Sequence, residues 1–378
     1  MRAAFVHLTL AFATLSPCLI LGGCFATSSS SSSPADSGTR DAAPLSDAGP
    51  SLDSGAVADS SSVFTLRPYV INPPPGYDPS TPTPLVVMLH GFGTDGPGEE
   101  TYLQLTAASN AHGFLYAYPD GSYSEVGPSR YRGLRFWNAT NACCDFSDPP
   151  DAMPDDVAYL NAVIDDIVKN YNVDKKRIFL IGHSNGGFMA HRMACDAADR
   201  IAAIVSFEGA QWLDPTRCQP TARVSVVELH GDNDLAYDPA TMMYGIPYDG
   251  GSTPEGTFPS APATVQTWAD KNGCAGALAA TTQTYDLVPN LPPPPLAPDA
   301  SPSDGSPGDA ASLDAGSTLD APPESGVSPD ETKVEKYACK GSIDTELWTI
   351  KGGTHMPRLN PATFGEAVWA FFSAHPKP

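Results

Sequence analysis

The stretch RIFLIGHSNGGFMAHRMAC occupies residues 177–195. Its first part, Arg177 to Ile181, is a short apolar run without alternation. That predicts a strand buried on both faces. Gly186 to Cys195 has helical character. Between them stands Gly182-His183-Ser184-Asn185-Gly186, a G-x-S-x-G pattern. At such a junction the glycines have a steric role: they permit a turn tight enough to lift the Ser184 hydroxyl above a sheet, and they let the next helix pack closely. A buried strand passing directly into a helix is the repeating unit of a parallel sheet, so this stretch decides the fold.

The same alternation extends on both sides. Pro84 to His90 and Phe114 to Tyr118 read as buried strands, with a helix from Glu99 to Ala111 between them. From Asp155 to Asn170, Val157, Leu160, Val163, Ile164 and Ile167 recur at helical spacing, and acids occupy the first turn. Ile201 to Phe207, Arg223 to His230 and Thr345 to Ile350 read as further strands. Together they predict an α/β fold, a doubly wound, mostly parallel sheet. Such sheets place their chemistry in loops at the carboxyl ends of strands.

A serine hydroxyl is a poor nucleophile without a base. The chain has eight histidines. His7 belongs to the leader, His90 and His230 end strands before a glycine, and His112 and His191 sit on helices, at their surfaces. His183 flanks Ser184 on the strand, so its side chain is expected to point away. His375 is in the C-terminal tail. His355, in Lys351-Gly-Gly-Thr-His-Met-Pro357, follows a strand and comes last in the order Ser…Asp…His. The acid that would orient it lies in His230-Gly-Asp-Asn-Asp234 or just beyond: Asp234 first, then Asp232, with Asp238 further on. An oxyanion hole would use the Asn185 N–H and the Phe92 N–H in His90-Gly91-Phe92-Gly93, where glycines admit close approach of substrate. Tyr131, Phe136 and Trp137 are candidates for an aromatic acyl pocket, or else ordinary packing.

The remaining sequence is of another texture. An apolar run follows Arg2 and ends in Leu21-Gly22-Gly23-Cys24, the look of a bacterial lipoprotein signal cleaved before Cys24. Residues 1–23 are expected to leave and Cys24 to carry lipid. Phe25 after it, rather than Asp, points to the outer membrane. Two spacers rich in Ser, Asp, Ala, Gly and Pro then read as disordered: a tether over 24–62 and an insertion over 288–332. They separate two segments of strand-and-helix texture, 63–287 and 333–378. The net charge of −22 includes −4 from Phe25 to Ser62 and −8 from Val288 to Thr332. That balance disfavours nucleic acid as a partner. No CxxC or HExxH pattern is present, so neither a metal site nor a cofactor is expected.

On these residues the chain resembles the polyhydroxybutyrate depolymerase and feruloyl esterase family of alpha/beta-hydrolases. The resemblance rests on LVVMLHGFG, YPDG, FWNATNACCDFSDPPDAMPDDVAYLNAVIDDI, VDKKRIFLIGHSNGGFMAHRMAC, AAIVSFEGA, VVELHGDNDLAYD, the block Trp268 to Cys274 and TELWTIKGGTHMP. It covers roughly 63–284 and 335–374. It implies one alpha/beta-hydrolase domain, a Ser184–Asp234–His355 triad and no metal. It also implies hydrolysis of carboxylic esters through an acyl-enzyme, on feruloyl or acetyl esters of polysaccharide or on hydroxyalkanoate polymers. Where the family tends to show Gly-His-x-Trp-Pro, this chain has Thr354-His355-Met356-Pro357, so the substrate transfers less directly than the mechanism. The resemblance further suggests that Cys143 or Cys144 pairs with Cys195 or Cys218, and that Cys274 pairs with Cys339 across the insertion. A vicinal Cys143–Cys144 bond is disfavoured on geometric grounds. The rival readings are a serine peptidase of the same fold and a catalytically silent, polysaccharide-binding surface lipoprotein.

Overall fold

The computed structural model describes residues 64–124, 133–144, 154–234, 258–289 and 330–378. All fall within one compact unit, residues 57–378. The expected signal peptide, Cys24, the tether, Tyr131, Asp238 and nearly all of the insertion lie outside the described residues. Among the described residues no helix is long and apolar enough to cross a membrane.

The chain enters through β1 (Tyr69–Asn72) and β2 (Thr83–Leu89), followed by α1 (Gly96–Leu103) and α2 (Thr106–His112). Next come β3 (Leu115–Pro119), a small hairpin of β4 (Ser122–Tyr123) and β5 (Arg135–Phe136), then α3 (Asp156–Asn170). The strand β6 (Val173–His183) leads into α4 (Asn185–Asp196), β7 (Ala203–Phe207) and β8 (Ser225–Gly231). The last elements are α5 (Ala261–Asn272), β9 (Ala275–Tyr285), β10 (Thr332–Ala338), β11 (Thr345–Ile350) and α6 (Pro361–Ala374).

Nine strands form one sheet in the order β1-β3-β2-β6-β7-β8-β11-β10-β9. The six from β3 to β11 run parallel. Antiparallel β1 closes one edge and the β10–β9 pair the other. This is the mostly parallel, doubly wound alpha/beta-hydrolase architecture expected from the sequence. Side chains alternate along β2, so Leu85 and Val87 enter one layer while Val86 and Met88 enter the other. The first layer packs against Leu160, Val163 and Ile164 of α3 and Phe188 and Met189 of α4. The second packs against Leu103 of α1, Ala108 of α2 and Phe364 and Phe371 of α6. Each such side chain stabilises the fold by roughly 1.5–3 kcal/mol. The consequence for function is directional. The ends of β2, β6, β7, β8 and β11 all open on one side of the sheet.

Two expectations shift. The helix anticipated from Glu99 to Ala111 is broken at Gln104, which is left-handed at φ 52° and caps α1. The Glu100 carboxylate causes the break by accepting from Leu105 N (3.2 Å) and Thr106 N (2.9 Å), amides that a continuous helix would use internally. The border of the insertion also moves inward. Val288 and Glu331 are buried, and a Glu331 oxygen accepts from Leu287 N (2.8 Å), Val288 N (3.0 Å) and Thr332 Oγ1 (2.8 Å). Tyr285 of β9 stands opposite Thr332 of β10. The described residues on either side of that stretch therefore stand side by side in the sheet.

The cysteines correct another reading. Cys195 at the end of α4 pairs with Cys218, and Cys274 pairs with Cys339. Each of these takes its spatial neighbour, which leaves Cys143 and Cys144 bonded to each other. The Cys274–Cys339 bond spans 65 positions, worth about 4 kcal/mol in the chain-entropy model.

Two outcomes follow from this packing. A Cβ at Gly186 would run into the carbonyl oxygens of Leu89 and His90. Gly186→Ala is therefore expected to destabilise by about 3 kcal/mol or more, read by denaturant unfolding. Deleting Pro292 to Ser328 should leave a folded protein whose thermal midpoint does not fall, because β9 and β10 set their own register and loop closure becomes cheaper.

Candidate active site

Ser184 sits between the end of β6 and the start of α4 with φ 53° and ψ −119°. A non-glycine residue held there costs about 1–3 kcal/mol. The conformation is fixed from three sides. Ser184 N donates to Phe207 O (2.7 Å), and Ser184 O accepts from Phe188 N (3.0 Å). A side chain at Gly182 would strike the Gly186 carbonyl. The hydroxyl is thereby held at the carboxyl edge of the sheet.

His355 comes from the loop after β11. Its Nε2 lies 2.8 Å from Ser184 Oγ, and its Nδ1 lies 3.1 Å from Asp234 Oδ2. The three residues chosen from the sequence are brought together in that order, although 171 positions separate Ser184 from His355. Asp232 takes a different part. It accepts from Gly352 N (2.6 Å) and pairs with Lys351 Nζ, which anchors the loop carrying His355. Asn233 N donates to Gly353 O (2.9 Å), and Tyr102 OH donates to Pro357 O (2.8 Å). Met356, in the position where the resemblance leads one to expect other chemistry, is exposed beside His355.

His183 departs from its expected indifference. Its Nε2 donates to the His355 carbonyl (3.1 Å), and its Nδ1 faces Glu99 Oε1 (3.0 Å). Both side chains are almost fully buried. Burial disfavours a charge on His183, but Glu99 outweighs it and raises the imidazole above its ordinary value. Burial likewise works against ionised Glu99, but His183 holds that carboxyl below the ordinary range. The pair is an ion pair, and the other Glu99 oxygen accepts from Gly91 N (2.8 Å). It joins the loop after β2 to the loop after β11.

The expected oxyanion donors have a built setting. Asn185 opens α4, so its N–H has no acceptor within the helix. Its side chain makes a reciprocal pair with the Trp137 backbone: Trp137 N donates to Asn185 Oδ1 (2.7 Å), and Asn185 Nδ2 donates to Trp137 O (2.9 Å). Trp137 Nε1 donates to His90 O (2.9 Å), and Gly93 N to Arg135 O (2.8 Å). The segment 135–137 thus clamps the Phe92 loop to the start of α4. Trp137 is fully buried and Phe136 is 5% exposed. The acyl-pocket reading of Trp137 is therefore corrected: its ring belongs to the core, where its indole N–H bonds the His90 carbonyl. His90 is neutral in type, since burial lowers its pKa. Its Nδ1 donates to Gly91 O (2.7 Å) and its Nε2 accepts from Gly121 N (2.8 Å).

Burial also works against a charge on Asp234, but hydrogen bonds from His230 and His355 prevail and hold its carboxyl far below the usual range. Glu208, His230 and Asp234 each bring a ligand-type atom within 4.8 Å of the others, a spacing a cation could bridge. Here His230 Nε2 faces both carboxyl groups, Asp234 at 3.2 Å and Glu208 at 3.3 Å. Sequence reasoning missed this group, and it placed His191 at the surface, whereas His191 is fully buried. The available signal was Glu228, an acid inside the apolar run Val226-Val-Glu-Leu, which a doubly buried strand tolerates only with partners.

The His183–Glu99 pair sets a pH signature. The raised imidazole contributes fully below its ordinary 6.5 and loses that contribution as pH rises through the raised folded value. The lowered carboxyl contributes fully above its ordinary 4.5 and loses that as pH falls through the lowered folded value. The stability difference between wild type and Glu99→Gln is thus expected to be largest between 4.5 and 6.5 and to shrink on either side, as thermal melts across pH would record.

Parts of the chain are similar to known proteins. A family model described as Phospholipase/Carboxylesterase matches residues 77–244, the span from the approach to β2 through the loop bearing Asp234. A protein of Nocardia uniformis subsp. tsuyamanensis named as an esterase, NocK, is 32% identical over 170 residues, 44% of this chain and 45% of that one. Feruloyl esterase B of Piromyces equi is 27% identical over 56% of this chain and 36% of its own length. The chain thus spans less than half the length of either relative. An acetyl xylan esterase structure from Aspergillus awamori aligns over 84% of this chain and 98% of its own, at 14% identity and a TM-score of 0.49. Over residues 77–244, the chain is thus similar to the family described as Phospholipase/Carboxylesterase.

Proposed function

We propose that this protein is a serine carboxylesterase that works through an acyl-enzyme. The observation that carries the reading is the continuous contact from Ser184 Oγ through His355 to Asp234, at 2.8 and 3.1 Å. Ser184 Oγ attacks the ester carbonyl while His355 Nε2 takes its proton. Asp234 keeps the other imidazole proton on Nδ1 and balances the imidazolium that forms. The N–H groups of Asn185 and Phe92 receive the negative oxygen of the tetrahedral intermediate, each lowering the barrier by about 3 kcal/mol. His355 then returns the proton to the leaving alcohol. Water, activated by the same imidazole, releases the acid and restores Ser184.

The substrates of this reading are feruloyl or acetyl esters of polysaccharide, or hydroxyalkanoate polymers and oligomers. The relative named feruloyl esterase B supports the first class. The reading also places the enzyme outside the cytoplasm, anchored by lipid on Cys24 at the outer membrane, with residues 24–62 as tether. Two halves of one hydrolase domain, interrupted by the insertion, would then act at the surface on polymeric esters.

A fluorophosphonate probe is expected to label the folded protein, and Ser184→Ala to abolish labelling and lower esterase turnover by at least about a thousandfold. Turnover of p-nitrophenyl acetate without cleavage of peptide anilides would support the esterase over the peptidase. Absence of labelling in folded wild-type protein would overturn the enzymatic reading in favour of a silent binding protein. Methyl ferulate, acetylated xylan and hydroxybutyrate oligomers, compared side by side, would rank the substrate classes.

A further inference from the structure

Behind Asp234 lie four ionisable groups that the proposed reaction does not use. Glu208 follows β7, Glu228 and His230 are on β8, His191 is on α4, and all four are fully buried. Their contacts form one chain. Trp268 Nε1 donates to His191 Nδ1 (2.9 Å), so the His191 proton is on Nε2. That nitrogen lies 2.7 Å from Glu228 Oε2. The other Glu228 oxygen lies 2.8 Å from His230 Nδ1. On its far side His230 Nε2 faces Asp234 Oδ2 at 3.2 Å and Glu208 Oε2 at 3.3 Å. Asp234 Oδ2 is the same oxygen that His355 Nδ1 contacts. One carboxylate oxygen is therefore held between two imidazoles.

We propose that His230 is a positioning residue of the triad: as a buried imidazolium it fixes the Asp234 carboxylate, keeps it ionised and so sets the acid limit of activity. The proposal rests on the reading of Ser184, Asp234 and His355 as a triad. Both His230 nitrogens face carboxyl oxygens, and only a ring carrying two protons satisfies both. The groups facing it are Glu228 on its own strand, Glu208 from the loop after β7 and Asp234 from the loop after β8. His191 and His355 stand one contact further out. Burial opposes the charge, but Glu208, Asp234 and Glu228 outweigh it and raise the His230 pKa well above the ordinary value. Burial likewise raises Glu208, while His230 and the Gly231 N–H work to lower it. A Gly231 N–H (2.8 Å) holds its other oxygen.

The sign of the effect follows from charge balance. His230→Gln removes one positive charge from a closed cluster. The lost charge is replaced by a proton on Asp234. That species is inactive, because attack requires ionised Asp234 behind the imidazole. The acid limb of kcat/KM is expected to move to higher pH by about one unit or more. The loss falls on kcat rather than KM, since His230 is enclosed by protein and does not meet substrate. Glu228→Gln removes a negative charge, and its acid limb is expected to move to lower pH. A purely structural role would reduce folded protein without moving either limb.

The decisive measurement is the pH profile of p-nitrophenyl acetate hydrolysis by full-length protein, with active fraction counted by fluorophosphonate labelling. A folded, labelled His230→Gln protein whose acid limb coincides with wild type overturns the proposal. Should that variant fail to fold, Glu228→Gln decides: a lower acid limb supports the proposal, an unmoved or raised one overturns it. Failure of the triad reading would show separately, as full activity in Ser184→Ala.

Discussion

The constraint on which the rest of this structure depends is one residue held at positive φ. Ser184 can occupy its turn only because β6 and α4 press together without side chains at Gly182 and Gly186. That contact is a matter of clearance between backbones, so no redistribution of neighbouring side chains could replace it. Given the turn, the geometry of a parallel sheet supplies the remainder. β7 offers the carbonyl that receives Ser184 N, β2 delivers the Phe92 loop, and β8 and β11 end alongside with Asp234 and His355. The local strain of about 1–3 kcal/mol is distributed over a core in which β2, β7, β8 and β11 are buried along their whole length.

Around that turn the protein keeps its charges out of water and in pairs. Isolated buried ions would cost several kcal/mol each. Here Glu99 meets His183, and Glu228, Glu208 and Asp234 surround His230. Satisfied networks of this type specify a single arrangement, because any displacement leaves a buried group without its partner. The His183–Glu99 pair fixes the main chain of His355 and the amide of Gly91, while Asp232 and Tyr102 fix the rest of the same loop. The placement of the imidazole is thus overdetermined by contacts from β6, α1 and the loop after β8.

Much of the fold was legible because it is written in short apolar runs and glycine-rich turns. Arg177 to Gly186 carries an unbroken apolar run and a steric requirement that a strand–turn–helix meets, and Ser184 and His355 were legible from that turn and from chain order. The choice between Asp232 and Asp234 was open in the sequence because both follow β8 within the same turn, and only the path of the 351–357 loop separates them. The helix break at Gln104 was hidden because it depends on a side-chain carboxylate, Glu100, that looks like an ordinary surface acid. Trp137 reads equally as packing or as pocket until its partner, the His90 carbonyl, is in place. The vicinal Cys143–Cys144 bond was illegible for a related reason: it results from the other four cysteines finding nearer partners. His183 and His230 were set aside because a histidine's role is given by what faces it across the sheet, and pairwise contacts between distant strands leave no local periodicity.

The position of β11 in the sheet has a consequence for the nucleophile. It lies between β8 and β10, so the strand that delivers His355 enters only after both of its neighbours have been made. The Ser184 turn, the Phe92 loop and the Asp234 loop all follow strands that pair with one another without β11. A sheet lacking β11 would therefore hold a nucleophile with no base. The seating of one strand is thus what turns a strained serine into an activated one.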